Sequence, residues 1–172
     1  TDIDSDDNGI DNPDPATNGI TSGTVTLGPG SSEPTGETDL SPTGQGATDD
    51  SANMTVDFGF FPSYSLGNRV WIDPDNNGLI DTGEVGVDGA VVDLYLDSNA
   101  DGTPDSATPF ASTTTADGGY YRFDNLPAGS YLVKLNSNNF SGAGVLVGYS
   151  SSTPTEADPN TDVDSDDNGI NN

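Results

Sequence analysis

Residues 66–96 read LGNRVWIDPDNNGLIDTGEVGVDGAVVDLYL, two alternating apolar runs separated by a loop crowded with Asp, Asn and Gly. In the first run Leu66, Asn68, Val70 and Ile72 alternate with Arg69 and Trp71, so both faces carry bulky groups. In the second, Ala90, Val92, Leu94 and Leu96 are expected to point inward and Asp93 outward. Period-two patterning predicts strands, because successive Cβ atoms of an extended chain leave opposite faces. The pattern returns at Met54–Phe60, where Met54, Val56, Phe58 and Phe60 share a face, and at Tyr131, Val133 and Leu135 around Lys134. It is weaker at Thr24–Leu27 and Val145–Tyr149. Asp117-Gly118-Gly119 reads as a hairpin turn between the Thr-rich residues 112–115 and Tyr120–Phe123, and Pro127-Ala128-Gly129 returns the chain into Tyr131. Short strands with turn residues between them and hardly any helix signal predict an all-β sandwich. Residues 28–53, rich in Gly, Ser, Thr and Pro, predict a long surface loop or hairpin tip.

The chain of 172 residues carries 29 acidic residues against three basic ones, Arg69, Arg122 and Lys134, for a formal net charge of −26. Nucleic acid is excluded as a partner, since phosphates are held by clustered Lys and Arg, and an anionic membrane surface would repel the chain. There is no apolar run long enough to insert in a membrane and no signal-peptide pattern. Absence of Cys and His removes disulfides, zinc sites of the usual kinds and Ser-His-Asp or Cys-His catalysis. Any metal must be a hard cation with oxygen ligands.

The intervening loop supplies such ligands. Asp73–Glu84, DPDNNGLIDTGE, matches the EF-hand calcium loop: Asp73, Asp75 and Asn77 at positions 1, 3 and 5, Gly78 at 6, the Leu79 carbonyl at 7, Asp81 at 9 and Glu84 at 12. Alternate residues of a tight turn aim their oxygens at one centre, and Gly78 permits the bend. Strand patterns replace the flanking helices, so calcium is expected to pin a strand-to-strand loop. Asp97–Asp105 repeats the pattern with Asp97, Asn99, Asp101, Gly102, the Thr103 carbonyl and Asp105, but Thr108 stands at position 12, which predicts a weaker site. A third loop offers Asp4, Asp6, Asn8, the Ile10 carbonyl and Asn12, and a fourth Asp164, Asp166, Asn168, Ile170 and Asn172, with Asp2 and Asp162 one step upstream. Asp, Asn and Gly also form turns without any metal. Yet 16 of the 29 acidic residues fall in these four segments, and charges so crowded oppose folding unless a divalent ion sits among them. Two to four calcium ions are expected. Acids that ligate a metal stay ionised, which makes them poor candidates for acid–base catalysis, and no enzymatic activity is expected.

Thr1–Asn12 (TDIDSDDNGIDN) and Thr161–Asn172 (TDVDSDDNGINN) agree at ten of twelve positions, 160 residues apart. A fixed offset of this kind predicts one period of a tandem array, with neighbouring copies of the same repeat as partners. Asn53-Met54-Thr55 and Asn139-Phe140-Ser141 match the N-glycosylation pattern. Trp71, among apolar neighbours, is expected in core or interface rather than as a ligand platform.

Ser65 to about Asn139 resembles the B-type repeat domains of serine-aspartate repeat surface adhesins, relatives of the collagen-adhesin B-type fold. The residues that carry the resemblance are Leu66–Trp71 leading into Asp73, Glu84–Val87, Thr113–Gly118, Tyr121–Phe123 and Phe123–Tyr131, with Val56–Phe60 similar to the closing strand of such a domain. The resemblance implies a calcium-stiffened, immunoglobulin-like or prealbumin-like β-sandwich, extracellular and on a cell surface. It also implies that 1–61 is the C-terminal part of one repeat and 64–172 the N-terminal part of the next. Collagen-adhesin domains often carry an isopeptide bond from an early-strand Lys. Here that strand offers Arg69, so no such bond is expected. Three functions follow as expectations: a structural repeat of an extracellular fibre, stalk or sheath; an adhesin module binding a protein or glycan; or an accessory domain of a secreted hydrolase.

Overall fold

The computed structural model describes residues 7–28, 33–38, 40, 42–154, 159–160 and 167–169. The chain divides into two compact units, Thr1–Pro62 and Ser63–Asn172.

The first unit holds β1 (Gly9–Ile10) and β2 (Thr21–Ser22), an antiparallel pair joined through α1, a single helical turn at Pro15–Asn18. Asp14 caps that turn by accepting from Thr17 N at 3.3 Å, Pro15 sits where no N–H is needed, and Gly19, at φ 69°, ends it. The expected strands at Thr24–Leu27 and Met54–Phe60 are not paired into any sheet among the described residues. One backbone bond, from Asn8 N to Asp57 O at 3.1 Å, reaches the second segment, and a single bond does not make a ladder.

The second unit holds β3 (Tyr64–Arg69), β4 (Val91–Leu96), β5 (Ala111–Thr114), β6 (Tyr120–Leu126) and β7 (Tyr131–Leu135). These form two antiparallel sheets among the described residues, β3–β6 and β5–β4–β7. The sheets face each other across Val92 and Leu94 of β4 and Phe123 and Leu126 of β6, with Leu66, Ala111, Tyr121, Tyr131 and Leu135 packed around them. A second cluster joins Val87, Ala90 and Leu146 to Val70 and Ile72. The all-β sandwich read from the alternation is therefore the fold.

Several details differ from the pattern. The Asp117-Gly118-Gly119 turn does not close a hairpin within one sheet: past the single bridge of Ala116 to Tyr120, β5 bonds β4 while β6 bonds β3, so the turn carries the chain between layers. Asp93 is buried rather than outward in solvent, because β4 is the central strand of its sheet. Its carboxylate accepts from Ser112 Oγ at 2.6 Å and Asn136 Nδ2 at 2.7 Å, which meets the cost of burying it. Val145–Tyr149 forms turns instead of a strand, although Leu146 is buried. Asn139 is buried with its amide bonded both ways to Val91, at 2.8 Å each, so it is no glycan acceptor.

Asp124 ties β3 to β6, accepting from Ser65 Oγ at 2.6 Å and pairing with Arg122 at 2.8 Å. The Ser65 hydroxyl first, then Arg122, hold its carboxyl below the ordinary Asp value of 3.8. A depressed folded value means this stability is present above the unfolded pKa and lost as pH falls through the folded one. Asp124→Asn is therefore expected to flatten the acid limb of the unfolding temperature below about pH 4. A thermal melt series from pH 5 to pH 2 reads it directly.

Candidate metal centre

The Asp73–Glu84 loop is clamped at its base. Ile72 N donates to Val85 O at 2.9 Å, Trp71 bridges Gly86, and Val87 N donates to Val70 O at 2.8 Å. Val70 N in turn donates to Gly119 O at 2.8 Å, and the Asp88 carboxylate accepts from Gly118 N and Gly119 N at 2.9 and 2.7 Å. The interlayer turn therefore holds the mouth of the loop.

Inside it, Asp73 accepts from Asn76 N at 2.7 Å and from Gly78 N at 2.9 Å through its two oxygens. These bonds bend the chain so that Asn76 (φ 57°) and Gly78 (φ 77°) take left-handed conformations. Partial burial pushes the Asp73 carboxyl up, but the backbone N–H donors of Gly78 and Asn76 outweigh it and hold it below the ordinary value. The bend brings Asp73, Asp75 and Glu84 together, one carboxylate oxygen from each within 4.8 Å of the others. Asn77 Nδ2 donates to Asp81 at 2.8 Å and to Asp75 at 3.3 Å, its Oδ1 accepts from Leu79 N at 2.7 Å, and Asp81 N donates to Glu84 at 3.0 Å. An all-oxygen, multiply anionic set fits a hard divalent cation such as calcium, which tolerates irregular shells.

The second loop bends in the same way. Asp97 accepts from Asp101 N at 3.0 Å and Gly102 N at 2.9 Å, and Ala100 (φ 54°) and Gly102 (φ 80°) mirror Asn76 and Gly78. Its carboxylates do not gather as the first set does. Asn99 Nδ2 donates to Asp101, Thr103 N donates to Asp101, and Asp105 turns to Ser98, whose hydroxyl and backbone N–H hold its carboxyl below the ordinary value.

In the third loop Asn8 Oδ1 accepts from Asp57 N at 3.0 Å, Ile10 lies in β1, and Asn12 Oδ1 accepts from Asp14 N at 2.9 Å. Asp2, Asp4 and Asp6 lie outside the described residues, as do Asp162, Asp164, Asp166, Ile170 and Asn172 of the copy. Where both copies are described they share one turn: Asp7 accepts from Gly9 N at 2.8 Å and Asp167 from Gly169 N at 2.7 Å.

Sequence reasoning missed what packs on the first loop. Asp167 N donates to Gly78 O at 2.8 Å, and Asn76 exchanges two bonds with Thr153, at 3.1 and 3.0 Å. The repeat marked Asp167 as significant, but no signal in the sequence pointed to Thr153.

Residues 64–172, which contain both sheets and both inner loops, match the family model described as the SdrD B-like domain. The chain belongs to that family. Among relatives of this SdrD B-like chain, serine-aspartate repeat-containing protein I of Staphylococcus saprophyticus is 42% identical over 91 residues, covering 52% of this chain and 4% of that protein. Serine-aspartate repeat-containing protein F of Staphylococcus epidermidis is 37% identical over 123 residues, covering 70% and 6%. The fibrinogen-binding protein of Staphylococcus epidermidis is 37% identical over 86 residues, covering 49% and 7%. The chain thus spans only a small part of these relatives' length. Family membership upholds the resemblance read from Leu66–Tyr131 and the extracellular, cell-surface setting it implied. No helix among the described residues is long and apolar enough to cross a membrane.

Proposed function

We propose that this SdrD B-like chain is a structural, non-enzymatic repeat of an extracellular fibre, stalk or sheath, stiffened by calcium. The observation that carries the reading is the convergence of Asp73, Asp75 and Glu84 within 4.8 Å in a chain of net charge −26. Asn77, the Leu79 carbonyl and Asp81 complete that shell. Asp97, Asn99, Asp101, Thr103 and Asp105 form a weaker second site, and the two terminal copies bring the ions to between two and four. The cation supplies charge neutralisation. The protein supplies the clamp at Val70, Val85 and Val87 that fixes the loop, so the metal locks strand to strand instead of driving a helix pair open.

The test is thermal unfolding with calcium and with a chelator. Free calcium at a hundred times its dissociation constant adds about 2.7 kcal/mol to the native state. In a chain of this size that is expected to raise the unfolding temperature by about 5–10 °C. An unchanged melt would overturn the reading.

A second reading, an adhesin module, is favoured by the relative named fibrinogen-binding protein. Saturable binding of the chain to immobilised fibrinogen, with the melt unmoved by chelator, would put this reading first.

A further inference from the structure

Strands β3 and β6 line a groove of about 440 Å3 on the second unit, whose walls include Leu66, Asp117, Tyr120, Tyr121 and Arg122. Small-molecule sites span about 300–1,000 Å3, so the groove is of a useful size. Tyr120 and Arg122 are alternate residues of β6 and leave the same face of its sheet. The Tyr120 ring is 53% exposed, and the Arg69 guanidinium lies over it, 5.3 Å from the ring centre. Arg69 is itself held by its Nε bond to Gly118 O at 2.8 Å, so the ring is fixed before any ligand arrives.

The fold does not use up the polar groups of this groove. Arg122, its side chain 70% exposed, commits Nε to Asp124, and its two terminal nitrogens bond nothing among the described residues. Asp117 is exposed, and its carboxylate likewise bonds nothing among those residues. Its backbone is nonetheless rigid, at φ 55° in a turn that Asp88 pins through Gly118 N and Gly119 N. Neither the Tyr120 nor the Tyr121 hydroxyl is hydrogen-bonded among the described residues, and burial pushes the Tyr121 hydroxyl up, so it stays a proton donor. Donors and an acceptor thus line one groove with an aromatic wall, already in place.

We propose that this groove binds a neutral pyranose unit of a cell-surface glycan, its C–H face against Tyr120 and its hydroxyls on Asp117 and Arg122. The charges select the class. Asp117 and the net charge of −26 repel an anionic sugar, while Arg122 and Arg69 repel a cation placed against the ring. A pyranose carries no charge, presents C–H groups on one face and has neighbouring hydroxyls that both donate and accept. Those hydroxyls suit a carboxylate and a guanidinium lining one groove, and hydrogen bonds to charged groups are the stronger kind. The inference rests on the adhesin reading and names its ligand class. The groove shares no residue with the Asp73–Glu84 loop, so calcium stiffening stands or falls separately.

Cellobiose, maltose, lactose and diacetylchitobiose are titrated into the chain, with calcium present, and followed by saturation-transfer and amide-shift NMR. At least one is expected to bind saturably at millimolar concentration, with its ring C–H signals saturated from the protein and amide shifts confined to residues 65–68 and 116–122. Tyr120→Ala and Asp117→Gly are each expected to weaken binding by about tenfold or more. Glycine takes positive φ without strain, so Asp117→Gly carries the test if Tyr120→Ala does not fold. Tyr149→Ala, which removes another half-exposed ring, is expected to leave binding unchanged. No response to any of these sugars would overturn the proposal. Tighter binding of glucuronic acid or of an oligolysine peptide would do the same, as would a loss in Tyr149→Ala equal to that in Tyr120→Ala. Failure here, in a chain that still captures fibrinogen, would remove the groove alone and leave the adhesin reading standing.

Discussion

Leu94→Ala is expected to lower the unfolding free energy by about 3–5 kcal/mol, from lost burial and the cavity left between the sheets. Leu94 is fully buried at the centre of β4, bonded on one side to Ala111 of β5 and on the other to Val133 of β7, so no strand can shift to fill the void. Domains have about 5–15 kcal/mol in all, and the loss is a large share. Denaturant unfolding in calcium measures it. Leu96→Ala, two residues along the same strand at a partly exposed position, is expected to cost under about 1 kcal/mol.

Gly119→Ala is the second. Gly119 has φ 91°, where an L side chain is strained, and a Cβ there would stand 2.1 Å from Val70 O and 2.8 Å from Val87 N, both backbone atoms that cannot swing aside. A loss of more than about 2 kcal/mol is expected. The effect reaches further than stability, because Gly119 O holds Val70 and Asp88 holds the Gly119 N–H, the contacts that set the base of the Asp73–Glu84 loop. Calcium affinity, read by titration calorimetry, is expected to fall together with the melting temperature. By contrast Gly83→Ala, also at positive φ but with open space around it, is expected to cost only its backbone strain.

The layered β architecture was legible because Val92, Leu94 and Phe123 advertise their burial through alternation, a property each strand carries locally. The loop was legible for the same reason, since Asp73, Asn77, Gly78 and Glu84 lie within twelve residues. What alternation cannot encode is partnership. Met54–Phe60 has a strand's pattern and no strand paired with it among the described residues; Asp93 looks outward in sequence and is covered by Ser112 of β5 and by Asn136, the residue just past β7. Nor could spacing distinguish the two inner loops beyond position 12. Asp105 is drawn away by Ser98, seven residues back, a contact made only once the loop has closed.

The bonds joining Asn76 to Thr153 span 77 residues of sequence. When the chain is pulled from its ends, tension arriving through β3 passes first to β6 along their shared ladder, so the Asn76–Thr153 bonds take load only after that ladder shears. From then on the two bonds close residues 77–152 into a loop that holds β4 to β7, and those strands lengthen the chain only once the tie beside the acidic loop breaks.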